Sequence, residues 1–454
     1  MTAEDVDVVV IGLGPGGESL ATQLGKAGLS VVGVDARLVG GECPYYACIP
    51  TKMMIRAADA LAEARRANQL AGSVRIQPDW APVAARVRDD ATANWNDQAA
   101  VDRLEAAGVR FVRGYGKITD TAEVTVTTSD GDKVFRTRKG IVLNPGTDPA
   151  IPPIDGLADT PLWTNREAVP ATAVPSSLIV LGGGPVGCEF AQVFARFGAE
   201  VTVLQSPERL LPNDEPESSE LLRQIFVREG IKVVTGARAT KVDYDGAFHV
   251  TAGGETYTAD QLLVATGRTR DLAALGVKAA GIPDDGKFIQ VDDRMRAADK
   301  VWAIGDIAGT GAFTHMSMYH ADIAAADILG KDGPRAQYHA VPHATFTDPE
   351  VASVGLTQAE AEKQGIKVRT ALTALPDSSR GFIHKLGNDG LIKLVEDTER
   401  GVLVGASVVG PAAGEIVGAL VVAVHAQVPT ATLKGMILAY PTFHRAIGAA
   451  LAEL

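Results

Sequence analysis

Apolar residues in this chain fall into short β-branched runs, each followed by a glycine-rich turn and a stretch with helical spacing. The first, in VDVVVIGLGPGGESLATQLGKAG, predicts a buried parallel strand, a tight turn and a helix. A second strand, SVVGVDA, brings the chain to Asp35. The same order returns in SSLIVLGGGPVGCEFAQVFARFGAEVTVLQ, whose last strand ends at Gln205. A third apolar run, VWAIGDI, predicts a short return strand ending at Gly305-Asp306, and THMSMYHADIAAADILG reads as a helix from near Thr314. From about residue 340 the pattern changes to the strand-like runs HATFTDPEVASVGLT, GLIKLVED and LVGASVVGP, followed by helical EIVGALVVAVHAQV. ALAEARRANQLAG, placed after a cysteine-bearing helix, predicts a solvated helix face. The class is α/β, with two Rossmann-like dinucleotide-binding domains and a C-terminal α+β domain.

The turns carry the first chemistry. Gly12, Gly14 and Gly17 have G-x-G-x-x-G spacing between a strand and a helix, and Asp35 lies twenty-three positions after Gly12. Such glycines let a pyrophosphate approach the helix N-terminus, where unpaired N–H groups and the dipole favour anions; the acid accepts from a ribose diol. Gly182, Gly184 and Gly187 repeat the spacing, with Gln205 at the same offset and no acid there. Two fingerprints imply two nucleotide ligands, as in an enzyme passing electrons between a flavin and a nicotinamide.

Composition narrows this picture. A chain of 454 residues exceeds one ordinary core, and 46% hydrophobic with 22% charged residues is typical of a soluble globular protein. A net charge of −12 argues against general binding to nucleic acid or anionic membranes. No apolar run is long enough to span a bilayer, and the acidic start MTAEDVDVVVIGLG lacks the basic region of a signal peptide, so a cytoplasmic location is expected.

Two of the three cysteines, Cys43 and Cys48, lie in GGECPYYACIPTK. In a reducing compartment a close pair is a candidate for redox catalysis or metal binding, with simple burial as the plain alternative.

With these pieces placed, the chain resembles the flavoprotein pyridine nucleotide-disulfide oxidoreductases, which include dihydrolipoamide dehydrogenase, glutathione reductase and mercuric reductase. The resemblance runs nearly end to end through GLGPGG, the C-x4-C segment, GGGPVGCE, ATGR (with Gly267), AIGD, FTDPEVASVGLT and YPTFHR. It implies a homodimer with FAD and NAD(P)H. It also implies an FAD-binding domain in two parts (1–150 and 276–338), a NAD(P)-binding domain (151–275) and an interface domain (339–454). Cys48 then corresponds to the thiol facing the flavin and Cys43 to the outer thiol that attacks the acceptor. Lys52 corresponds to the lysine near the flavin N5, Glu189 to its carboxylate partner and Asp306 to the acid on the ribitol chain. His315 falls where the family places a helix N-terminus near the flavin's pyrimidine edge, with capping or packing as the alternative; Cys188 reads as a small packing residue. Residues five apart on a regular helix lie about 8 Å apart, and a disulfide needs its Cα atoms within about 7 Å. A bonded pair therefore requires a distorted turn, which Pro44 and Pro50 favour. Zinc fits poorly, because two cysteines fall short of four ligands.

The chain departs from the family in three places. Disulfide reductases usually carry a C-terminal HPTxxE whose histidine, from the partner subunit, shuttles protons; here Tyr440 and Arg445 occupy those positions, with His444 adjacent. A phenol is a poor base at neutral pH beside an imidazole. CPYYAC replaces the usual C-[LV]-N-x-G-C, and with the lost His–Glu pair it is similar to the 2-ketopropyl-coenzyme M oxidoreductase/carboxylase branch. LNPGT stands where an A-T-G motif is usual, and the terminal Cys pair of mercuric reductases is absent. The expected activity is NAD(P)H oxidation through FAD and the cysteine pair to a disulfide, quinone or other small electrophile. Thioether cleavage and a non-turnover redox sensor are the alternatives. Gln205 lacks the carboxylate that repels a 2′-phosphate, and Arg209 is placed to reach one, which favours NADPH slightly.

Overall fold

The computed structural model describes residues 2–454, and the chain divides into two compact units. One comprises the chain up to Pro50, Arg86–Pro149 and Arg268–Gln337; the other comprises Thr51–Ala85, Ala150–Gly267 and Tyr338–Leu454.

The first unit is built on a parallel sheet in the order Val301–Ala303, Gly131–Leu143, Glu4–Ile11, Val31–Asp35, Val109–Arg113, with Arg296–Ala298 antiparallel at one edge. The central strand is buried on both faces. Val8 and Val10 pack with Leu20 and Leu24 of the helix Pro15–Lys26. Val9 and Ile11 pack on the other side with Ile118 and Val124. The predicted return strand is only Val301–Ala303, and the predicted helix runs Thr314–Ile328.

The second unit holds a four-stranded parallel sheet in the order Lys232–Val234, Glu200–Leu204, Ser177–Leu181, Gln261–Val264. A three-stranded antiparallel sheet covers Ala239–Ala259. Its C-terminal part is a five-stranded antiparallel sheet in the order Pro342–Thr345, Glu350–Gly355, Val402–Gly410, Leu391–Asp397, Val368–Ala374. The helices Ala413–His425 and His444–Glu453 pack on it through Ile416, Leu420, Ile447 and Leu451.

One expectation is corrected here. ALAEARRANQLAG does not follow the cysteine helix; most of it is the second half of the single helix Cys48–Leu70. Its polar face is solvated as expected, with Glu63, Arg65, Asn68 and Gln69 exposed and Ala62 buried, and Arg65 and Arg66 also bind partners within the second unit.

Candidate nucleotide and redox site

Each fingerprint glycine has a distinct physical reason. A Cβ at Gly12 would lie 2.1 Å from the Asn144 carbonyl oxygen, and one at Gly17 would lie 2.1 Å from that of Gly12. The second fingerprint repeats this, with Gly182 against the Ala265 oxygen and Gly187 against the Gly182 oxygen. These positions exclude side chains to satisfy the protein's own packing. The middle glycines differ: around Gly184 nothing lies within 4 Å, and around Gly14 only the Asn144 amide does. Both middle glycines cap twelve-residue helices, Pro15–Lys26 and Pro185–Arg196, and neither cap is closed by a side chain. An open glycine before an uncapped helix fits a pyrophosphate at both sites.

Asp35 accepts from Leu13 N at 2.8 Å and from Arg37 N at 2.7 Å. Burial pushes its carboxyl above the ordinary range, against the pull of those two N–H donors. Gln205 makes the equivalent contact, its Oε1 accepting from Gly183 N at 2.7 Å while its Nε2 donates to the Arg209 carbonyl at 3.1 Å. Arg209 Nη2 donates to the Pro212 and Asp214 carbonyls at 2.7 and 3.1 Å, which engages that end of the guanidinium within its own loop. Gly267 has φ +129°, and its carbonyl accepts from Ala150 N at 2.9 Å.

Three residues missed by sequence reasoning organise the ground around Asp306. Asn144, buried in the divergent LNPGT segment, accepts from Gly17 N at 2.9 Å and donates to the Ile304 carbonyl and Ser317 Oγ, with its amide oriented to satisfy all three. It joins the first fingerprint, the return strand and the helix Thr314–Ile328; its only sequence signal was the departure from A-T-G. Its neighbour Thr147 donates from Oγ1 to Asp306 Oδ2 at 2.7 Å. His320, fully buried, accepts from Gly305 N at 3.1 Å through Nδ1, and its Nε2 lies 3.1 Å from Thr310 Oγ1. The Nδ1 contact requires the Nε2–H tautomer. His315, the histidine that the sequence singled out, is exposed and stacks on Phe313 with centroids 5.1 Å apart.

Burial lowers the His320 imidazole from its ordinary 6.5 to about 4. The unfolded chain therefore takes up a proton that the folded chain refuses between those values. Stability contributed by neutral His320 is present above pH 6.5 and is lost as pH falls toward 4, by up to about 3 kcal/mol. Thermal unfolding followed across this window should show a shallower acid-side slope in His320→Gln than in the parent. Equal slopes would show that the imidazole does not titrate this way.

Between the cysteines the helix is broken. Glu42–Tyr45 forms one short helix, Tyr46 leaves it with φ −138° and ψ 0°, and Cys48 opens the next. Both cysteines are partly exposed, and Cys48 Sγ lies 3.3 Å from Thr314 Oγ1. Cys188 is fully buried, 3.4 Å from the Gly183 carbonyl, and burial pushes its thiol strongly upward, as suits a packing residue.

In the second unit, Lys52 Nζ lies 2.9 and 2.7 Å from the two Glu189 carboxylate oxygens and 4.8 Å from the centre of the Phe346 ring. Glu189 is buried, and its Oε1 also accepts from Phe346 N at 2.9 Å. The pair heads a polar seam between two helices. Gln192, one turn on from Glu189, grips Asp348 through both its N–H and its carbonyl. Arg196, buried at the next turn, reaches Asp59, Glu229 and Asp348 at 2.7, 2.7 and 2.8 Å, and Arg66 adds a second cation on Asp348 at 2.6 Å. Lys52, Asp59 and Arg66 recur every seven residues, so they share one helix face. Burial, opposed by Arg196, pushes Asp59 up to about 6. Such a seam fixes the geometry of the Lys52–Glu189 pair, since a buried charge without its partners is costly.

The C-terminal candidates also lie in the second unit. Tyr440 is 72% exposed. His444 opens the last helix, and Arg445 N donates to the Thr442 carbonyl. Ile437 beside them is fully exposed.

Comparison with known proteins agrees with this construction. Residues 6–328 match the family described as pyridine nucleotide-disulphide oxidoreductase, and residues 341–451 match the dimerisation domain of the same family. The chain belongs to the pyridine nucleotide-disulphide oxidoreductases and is an oxidoreductase. Use of FAD and a pyridine nucleotide is typical of that family. A mercuric reductase of Acidithiobacillus ferrooxidans is 31% identical over 97% of this chain and 81% of its own length. A dihydrolipoyl dehydrogenase of Thermus scotoductus is 33% identical over 96% of this chain and 94% of its own. Among solved structures, LpdA from Mycobacterium tuberculosis superposes with a TM-score of 0.87 at 26% identity, covering 98% of this chain and 99% of that one. The HOCl-induced flavoprotein disulfide reductase RclA from Escherichia coli shares the fold, with a TM-score of 0.87 at 24% identity over 100% of this chain and 99% of that one. Among the described residues no helix is long and apolar enough to cross a membrane, and no cluster of His, Cys, Asp and Glu suits a metal ion.

Proposed function

We propose that this protein passes two electrons from a reduced pyridine nucleotide through FAD to a Cys43–Cys48 disulfide, and from the resulting dithiol to a small acceptor. The observation carrying this reading is the break at Tyr46–Ala47, between two helical segments that each hold one cysteine. An unbroken helix would keep the sulfurs too far apart to bond. When bound, FAD supplies a two-electron carrier between nicotinamide and sulfur. The chain's own residues do the rest. The uncapped helices behind Gly14 and Gly184 hold pyrophosphates, and Asp35 and Asp306 accept from hydroxyls. Glu189 holds Lys52 in place, and His315 lines the approach from its helix start. Cys48 presents its sulfur at a helix N-terminus, where thiolate is favoured, and Cys43 attacks the acceptor. The protein acts as a homodimer in which the C-terminal segment bearing Tyr440, His444 and Arg445 reaches the partner subunit's cysteine pair.

Quinones and other small electrophiles suit the acceptor position, because they need less proton delivery than a departing thiolate. Steady-state oxidation of NADH and NADPH against a panel of quinones and disulfides tests the reading: quinone turnover well above disulfide turnover supports it, and no turnover with any acceptor would favour a redox sensor.

The nicotinamide cofactor is a finer proposal. Gln205 carries no charge against a 2′-phosphate, but Arg209 is engaged by its own loop. The chain should accept both cofactors, with kcat/KM for NADPH higher by less than about tenfold, the equivalent of roughly 1.4 kcal/mol. A large preference for NADH in the same assay would reject this.

A further inference from the structure

The segment facing the cysteine loop within the first unit is strained. A π-helical turn, Val87–Ala91, leads into three consecutive non-glycine residues in the left-handed region, Ala93, Asn94 and Trp95, at φ +48°, +56° and +55°. Asparagine tolerates this conformation; alanine and tryptophan adopt it at a cost and keep it only where surrounding contacts enforce it. The enforcing contacts are visible. Buried Thr92 donates from Oγ1 to the Arg88 carbonyl at 3.0 Å and accepts from Trp95 N at 3.3 Å, while Asn94 N donates to the Arg88 carbonyl at 2.6 Å.

The strained turn delivers two groups to the cysteine loop. Trp95 Nε1 donates to the Tyr45 carbonyl at 3.3 Å, and its ring lies against Tyr46 with centroids 6.5 Å apart. Two residues further on, Asp97 Oδ2 accepts from Val39 N at 2.7 Å and is held by Arg113 at 2.6 Å. The loop is therefore gripped before Cys43 and again between the cysteines. The Tyr45 carbonyl stands at the break, where the regular ladder stops and resumes only with the helix from Cys48. The indole N–H takes over a carbonyl that the break removes from helical pairing.

We propose that Trp95 is a positioning residue for the redox pair: its indole N–H stabilises the broken-helix conformation that a Cys43–Cys48 disulfide requires, and so favours the oxidised form over the dithiol. This rests on the disulfide reading above. On this proposal the break is held for the disulfide and contributes less to the dithiol, so removing the donor weakens the oxidised state more than the reduced one. Reduction breaks the S–S bond, taking two electrons from an external dithiol, which itself becomes a disulfide, and leaving the proton count on the sulfurs set by pH.

The experiment equilibrates FAD-loaded protein with mixtures of reduced and oxidised dithiothreitol, quenches by alkylation and measures the Cys43–Cys48 disulfide fraction by mass spectrometry. Trp95→Phe keeps a ring and loses the N–H; its equilibrium should move about fivefold toward the dithiol, or about 20 mV for a two-electron couple. Thr92→Val, which releases the turn without touching the loop, should move it the same way. Trp80→Phe is the control, since Trp80 Nε1 donates to the Ala171 carbonyl in the other unit; it should match the parent. Parent-like equilibria in both Trp95→Phe and Thr92→Val overturn the inference alone. A parent in which no disulfide forms at any ratio overturns both the inference and the functional reading beneath it.

Discussion

Cys48→Ser should lose the long-wavelength charge-transfer absorbance that two-electron reduction produces in the parent, while Cys43→Ser should show such absorbance without reduction. The two substitutions are chemically identical and five residues apart, so the opposite outcomes test a division of labour rather than a general need for thiols. Cys48 opens a helix of twenty-three residues, where the dipole and unpaired N–H groups favour thiolate, and its sulfur is anchored beside Thr314. Removing Cys43 leaves that thiolate with no partner to bond, whereas removing Cys48 leaves nothing to interact with the flavin. Both variants should lose turnover almost completely, because neither can form the disulfide. If both absorb and reduce like the parent, the cysteine pair is not coupled to the flavin.

The second large effect concerns the C-terminal segment. Tyr440→His combined with Arg445→Glu should raise turnover with glutathione- or lipoamide-type disulfides by about 100-fold or more and introduce a pH dependence near the histidine range. A positioned imidazole contributes roughly 100- to 10,000-fold to the proton transfers that release a thiolate and regenerate an attacking one. Arg445 cannot replace the usual glutamate, because a guanidinium stays protonated and cannot stabilise an imidazolium. Tyr440→His alone should gain less, since the new imidazole would face a fixed positive charge. The exposure of Tyr440 and Ile437 suits a segment that a partner subunit covers. Efficient disulfide turnover by the parent, unchanged in Tyr440→Phe and His444→Ala, would show that position 440 does not control the acceptor.

Much of this site could be read in the sequence because its parts are local. A strand, three spaced glycines and a helix are contiguous, and part of the need for glycine is local: Gly12 and Gly182 have positive φ, and Gly17 and Gly187 face the carbonyls of Gly12 and Gly182. The helix distortion between the cysteines was likewise implied by two prolines and a disulfide's reach. What escaped depends on residues far apart in sequence. His320 is buried under Gly305 by the turn before its helix, and no short pattern distinguishes it from the exposed His315. Trp95 meets the cysteine loop through a left-handed turn that no propensity rule predicts for Ala-Asn-Trp. The two carbonyls that the fold brings to Arg209 Nη2 within its own loop are likewise invisible in the sequence, which shows only a cation. The Lys52–Asp59–Arg66 heptad was visible, but its meaning required the second helix carrying Glu189, Gln192 and Arg196 on one face.

The central claim is that Cys43 and Cys48 form the disulfide that electrons from the pyridine nucleotide reach. Its most direct measurement is an anaerobic thiol count on native FAD-loaded protein before and after one equivalent of NADPH, with alkylated sites located by mass spectrometry. The expected result is two new alkylated residues, Cys43 and Cys48, with buried Cys188 unlabelled in both samples. Bleaching of the flavin with no new thiols, or both cysteines already alkylated in the untreated protein, would contradict it.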